Sequence, residues 1–139
     1  MNVFISWVSA DKEIKNAIAE RIKTENHTCF DSDEFCTNEY SAECTQAIKN
    51  SRVFILILSD EAMKSGYVLN EVITARKYEE EGKLNILVYK ITDSPLTDAF
   101  EFQLNHVSFV SGDCTQRKET NGTDCSIDQI INRVNELAK

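Results

Sequence analysis

Val53-Phe54-Ile55-Leu56-Ile57-Leu58-Ser59 is an unbroken apolar run closed by a hydroxyl. A strand with one wet face alternates apolar and polar residues. A run without alternation belongs to a strand covered on both faces, the central position of a parallel sheet. Shortly after it comes Ser65-Gly66-Tyr67-Val68-Leu69-Asn70-Glu71, which reads as the opening of a helix. Together the two segments put one carboxylate, four residues after an aromatic, near the C-terminal edge of such a sheet. That edge is where open α/β sheets bind ligands.

Outward from this centre, strands and helices alternate. Val3-Phe4-Ile5-Ser6-Trp7 is a short apolar strand. A helix follows, with Ser9 or Asp11 expected as N-cap and Ile14, Ala17, Ile18 and Ile22 on its buried face. His27-Thr28-Cys29-Phe30-Asp31 reads as a second strand. Residues 32–40 form an acidic, polar loop, and a short helix then turns Tyr40, Cys44, Ala47 and Ile48 inward. The third helix is expected to bury Val68, Leu69, Val72 and Ile73, leaving Glu71 off the apolar stripe. Residues 84–91 and 107–110 supply the fourth and fifth strands, separated by the breaker Asp93-Ser94-Pro95 and a short irregular helix over residues 96–104. After a polar loop over residues 112–124, Ser126-Ile127-Asp128-Gln129 fits a capping box. It opens a last helix that buries Ile127, Ile130, Ile131, Val134 and Leu137.

Five strand–helix alternations predict a parallel sheet with helices on both faces. The expected fold is a flavodoxin-like three-layer α/β/α sandwich, with a five-stranded parallel sheet in the order 2-1-3-4-5. Residues 1–139 read as a single domain.

Composition narrows the function. The chain carries a net charge of −8 and no basic stripe, which argues against nucleic acid and anionic lipid as partners. No run of residues is long and apolar enough to span a bilayer. The five cysteines (Cys29, Cys36, Cys44, Cys114 and Cys125) form no CxxC pair, and the two histidines have no zinc spacing, so no metal site is expected. Without a leader pattern, the cysteines read as reduced and the location as cytoplasmic. The glycine-rich phosphate motifs of dinucleotide-binding and P-loop proteins are missing. Asp31 and Asp33 suggest the acidic cluster of a response-regulator receiver, but that pattern needs an aspartate ending the third strand, where Ser59 stands.

Two residues carry paired readings. Glu71 is either a catalyst at the sheet edge or one more solvated glutamate on a helix that also bears Glu79, Glu80 and Glu81. Trp7, the single tryptophan, is either core packing or a stacking platform where the first strand reaches the crevice.

The segments already quoted resemble those of a TIR (Toll/interleukin-1 receptor) domain. Val3-Phe4-Ile5-Ser6-Trp7 with Asp11 is similar to the family's first box. The stretch from Ala47-Ile48 through Ser51-Arg52-Val53-Phe54-Ile55 to Ser59 is similar to its AI-x-x-S-R-x-F-I-x-x-x-S segment. Ser65-Gly66-Tyr67-Val68-Leu69-Asn70-Glu71 is similar to S-x-W-C-x-x-E, with Tyr67-Val68 in place of Trp-Cys. The resemblance implies an NAD⁺ glycohydrolase or cyclase of the bacterial type, with Glu71 as the catalytic carboxylate. It implies substrate contacts from Ser6, Trp7, Asp31, Ser65 and Tyr67, and an assembly loop carrying Asp33, Glu34, Phe35 and Glu39. NAD⁺ would be substrate, with no cofactor. The products would be nicotinamide and ADP-ribose or a cyclic isomer, in prokaryotic anti-phage or immune signalling, and the partners other TIR domains. Two alternatives stand beside this: a non-enzymatic TIR scaffold, and a nucleoside deoxyribosyltransferase-like enzyme.

Overall fold

The computed structural model describes residues 1–31, 42–107, 109–111 and 125–138. Five strands form one sheet: β1 (Asn2–Ser6), β2 (Thr28–Asp31), β3 (Val53–Leu58), β4 (Asn85–Lys90) and β5 (Phe109–Ser111). All pairings are parallel and the order is β2-β1-β3-β4-β5, as the alternation predicts. Among the described residues the α-helices are α1 (Lys12–Thr24), entered through a 3-10 turn (Ser9–Asp11), α2 (Ala42–Lys49), the single turn α3 (Asp60–Met63), α4 (Gly66–Glu80), α5 (Asp98–Leu104) and α6 (Cys125–Leu137). The turn α3 was not expected from the sequence. Ser59 starts it, accepting the Ala62 N–H at 3.1 Å.

Strand parity splits the core in two. Val3, Ile5, Val53, Ile55 and Ile57 face α1 and α6, where Ile14, Ile18, Ile22, Ile130, Ile131 and Val134 meet them. Phe4, Phe54, Leu56 and Leu58 face α2, α4 and α5, meeting Ile48, Val72, Ala75 and Phe100. All six β3 residues are buried, as its unbroken apolar run requires. Phe4 and Phe54, neighbours in register, stack with ring centroids 5.6 Å apart.

Two helix ends obey one rule. After α4, Gly82 adopts φ +76°, its N–H bonds the Glu79 carbonyl and the Lys83 N–H bonds that of Tyr78. After α1, Asn26 adopts φ 67°, its N–H bonds the Lys23 carbonyl and the His27 N–H bonds that of Ile22. Both are Schellman closures, and asparagine is the residue after glycine that best tolerates the left-handed position. Asn26 thus has a structural reason to be where it is.

Two expectations need correction. Asp11 occupies the N-cap position of α1 but its side chain makes no cap. The carboxylate instead accepts the Ser59 hydroxyl at 2.5 Å, tying the start of α1 to the end of β3. The buried stripe of α4 is Val68, Glu71, Val72, Ala75 and Tyr78, not Val68, Leu69, Val72 and Ile73. Ile73 is 45% exposed and Leu69 only partly buried. The spacing i, i+3, i+4, i+7 runs through Glu71, so the glutamate lies on the stripe itself.

Candidate active site

Glu71 is completely buried. Its Oε1 accepts the Ser6 hydroxyl at 2.7 Å and its Oε2 accepts the Cys44 thiol at 3.1 Å. Three elements converge there for simple reasons. Ser6 ends β1 and shares parity with Phe4, so it points to the α2/α4 side. Cys44 sits in α2, on the same face as Ala47 and Ile48. Glu71 sits on the inward stripe of α4, which begins at Ser65, whose hydroxyl accepts the Val68 N–H at 3.2 Å.

Burying a carboxylate costs several kcal/mol unless donors replace its water. The Ser6 and Cys44 hydrogen bonds offset part of that cost. The other glutamates of α4 behave differently. Glu79 and Glu80 pair with Arg76 at 2.5 and 3.1 Å, in the i,i+3 and i,i+4 manner of a helix surface, and Glu81, just past the helix, pairs with Lys83 at 3.0 Å. Glu71 is therefore not one more solvated glutamate. A buried carboxylate at the C-terminal edge of a parallel sheet is an expensive feature, of the kind that clusters at functional sites.

Trp7 answers its question the other way. It is 6% exposed and packs with Ile5, Ile14 and Ile18 in the cluster beneath α1 and α6. The Lys15 ammonium lies 4.5 Å from the ring centroid. The Trp7 ring thus belongs to the face of the sheet opposite Glu71. The expectation of an open stacking platform is corrected to core packing. Parity explains it: position 7 follows 3 and 5, whereas position 6 follows 4.

The remaining expected residues are dispersed around the edge. Tyr67, in the first turn of α4 and four residues before Glu71, is 42% exposed. Ser65 is the α4 N-cap, a structural duty. Asp31 ends β2 in register with Ile5. Asp33, Glu34, Phe35 and Glu39 lie outside the described residues. Cys44 was read from the sequence as packing only. Strand parity and the correct α4 stripe together would have placed it beside Ser6 and Glu71.

Among the described residues, no group of histidine, cysteine and acidic side chains could hold a metal ion. Nor, among them, is any helix long and apolar enough to cross a membrane.

Comparison with known proteins follows the same lines. A family model described as a TIR domain matches residues 3–124. No curated protein sequence matches the chain. Among solved structures, the fold is similar to the TIR domains of the activated Roq1 resistosome recognising the effector XopQ. The TM-score there is 0.74 at 16% identity, covering 96% of this chain and 98% of that one. It is also similar to the RPS4 and RRS1 TIR domain heterodimer, with a TM-score of 0.69 at 14% identity over 99% and 98% of the two chains. A third likeness is to the Clostridium botulinum CMP N-glycosidase BcmB, with a TM-score of 0.58 at 15% identity over 80% and 88%.

Proposed function

The chain belongs to the TIR-domain family, and we propose that it is an enzyme of that family, cleaving the nicotinamide–ribose bond of NAD⁺ with Glu71 as the catalytic carboxylate. The observation that carries this reading is the buried Glu71, held by Ser6 and Cys44 at the C-terminal edge of the sheet. Breaking an N-glycosidic bond builds positive charge on the ribose, as in glycoside hydrolysis. A fixed carboxylate beside C1′ stabilises that charge at a site screened from bulk solvent. Nicotinamide leaves as a neutral base from a cationic substrate, so no strong general acid is required and one glutamate suffices. Water attacking C1′ gives ADP-ribose, and attack by a nucleophilic atom of the same nucleotide gives a cyclic isomer. Tyr67, 42% exposed at the head of α4 and four residues before Glu71, can stack on a ring of the nucleotide. The role extends to prokaryotic defence signalling in the cytoplasm.

Glu71 meets no solvent in this conformation, so substrate reaches it only when what covers it moves. That supports a further part of the reading: the isolated domain turns over slowly, and self-association through the acidic segment with Asp33, Glu34, Phe35 and Glu39 opens the site. The likeness to a TIR heterodimer supports assembly with other TIR domains as the partner class.

A second reading draws on the fold shared with a CMP N-glycosidase, in which a nucleoside or nucleotide replaces NAD⁺ as the glycosidic substrate. Incubating the purified protein at high concentration with NAD⁺, CMP and deoxynucleosides in separate reactions tests all readings. Release of nicotinamide alone is the expected result. Release of cytosine, or transfer of deoxyribose, supports the second reading, and inertness toward all three supports the scaffold.

A further inference from the structure

The Cys44 thiol donates to the carboxylate at 3.1 Å, and nothing in the reaction requires a thiol there. We propose that Cys44 is a positioning residue for Glu71: with Ser6 on the other oxygen, it fixes the carboxylate plane in one orientation for the reaction. The proposal rests on the NAD⁺-cleaving reading of Glu71 and goes beyond it.

The geometry supports this in three ways. The two donors take different oxygens, Ser6 on Oε1 and Cys44 on Oε2, so the carboxylate is held at both ends and cannot spin about its last bond without breaking a contact. The donors come from separate rigid elements, the end of β1 and helix α2, and both are buried. A site built on strand and helix is held more narrowly than one built on a loop. Finally, Cys44 lies among apolar neighbours, in the cluster with Ala47, Ile48, Val68 and Val72. A thiol suits such surroundings better than a hydroxyl, because it packs like a small hydrophobe while still donating a weak hydrogen bond.

The test uses the intact chain and three variants. Cys44→Ala removes the donor, Cys44→Ser restores one, and Glu71→Gln removes the charged acceptor. Infrared difference spectra between wild type and Cys44→Ala isolate the S–H stretch of Cys44 from the other cysteines. The same difference taken in the Glu71→Gln background reports what the carboxylate does to that bond, with no turnover needed. The expected result is an S–H band at lower frequency with Glu71 than with glutamine. In kinetics, Cys44→Ala is expected to lower kcat on the order of a hundredfold, the effect of a small misplacement of a reacting group. KM and the melting temperature should stay close to wild type, and Cys44→Ser should recover much of kcat. An S–H band that ignores Glu71→Gln, or equal kcat in Cys44→Ala and wild type, overturns the proposal alone. Failure of the wild-type protein to cleave NAD⁺ while the S–H shift is present overturns the reading of the reaction, and the positioning role falls with it.

Discussion

The two faces of the sheet bury charged side chains in different ways. On the α1/α6 face, Lys15 is 7% exposed and lies over the Trp7 ring. On the α2/α4 face, Glu71 is wholly buried and takes hydrogen bonds from Ser6 and Cys44. A lysine can run its methylene stem along apolar surface and rest its ammonium on an aromatic face, so packing accounts for much of its burial. A carboxylate has a short stem and needs donors, so its burial demands dedicated partners. The first arrangement closes a core. The second holds a carboxylate by both of its oxygens.

The largest expected effect is on the second face. Glu71→Gln keeps the shape and removes the charge, and NAD⁺ cleavage should fall by several powers of ten, about 3–5 kcal/mol of barrier. Circular dichroism should show the fold retained, since the amide can still meet Ser6 and Cys44. Full activity in Glu71→Gln would break the comparison.

Next in size is Trp7→Ala. A packing role predicts a loss of about 3–5 kcal/mol of stability, read by denaturant titration. Trp7→Phe should recover much of it, and turnover per folded molecule should stay near wild type. A stable Trp7→Ala protein with a raised KM would return Trp7 to the substrate.

How much of this was legible beforehand follows from the kind of signal each residue carries. The sheet order could be read because the β3 run and the strand–helix alternation are long, redundant patterns. The stripe of α4 could not, because Ile73 and Leu69 are apolar yet outward, and Glu71 is charged yet inward. Hydrophobicity assigns faces only where composition and geometry agree, and a functional site is where they part. Trp7, at the end of its strand, is open to both readings. Its parity with Val3 and Ile5 was in plain view. Cys44 turns inward with Ala47 and Ile48, and its place beside Glu71 follows only once the α4 stripe is drawn through position 71.

A smaller effect concerns assembly. Replacing Glu34 and Glu39 with glutamine removes like charge from the acidic segment and should lower the protein concentration at which specific activity rises, as followed by a dilution series with light scattering. A flat activity profile from a monomer would mean that the Glu71 face opens without a partner.

The smallest effect is at the rim. Asp60, at the start of α3, receives the Thr92 hydroxyl at 2.7 Å. Hydrogen bonds from Thr92 and then Ser94, with a lesser contribution from Lys64, hold its carboxyl below the ordinary aspartate value. A depressed folded-state pKa stabilises the fold above the unfolded value, near 4. That contribution disappears as pH falls through the lower folded-state value. Thr92→Val should therefore lower the melting temperature slightly at neutral pH, with the difference from wild type vanishing in acid. An unchanged difference at low pH would mean that Thr92 acts through packing.

The most direct test of which face receives the nucleotide is a titration of NAD⁺ into isotopically labelled Glu71→Gln protein, followed by amide chemical shifts. The substitution holds the substrate uncleaved. The account predicts perturbations concentrated at Ser6, Cys44, Tyr67 and residue 71 around the α2/α4 edge, with Lys15, Ile18 and the α6 amides still. Shifts centred on the α1/α6 face, or none at saturating NAD⁺, would contradict it.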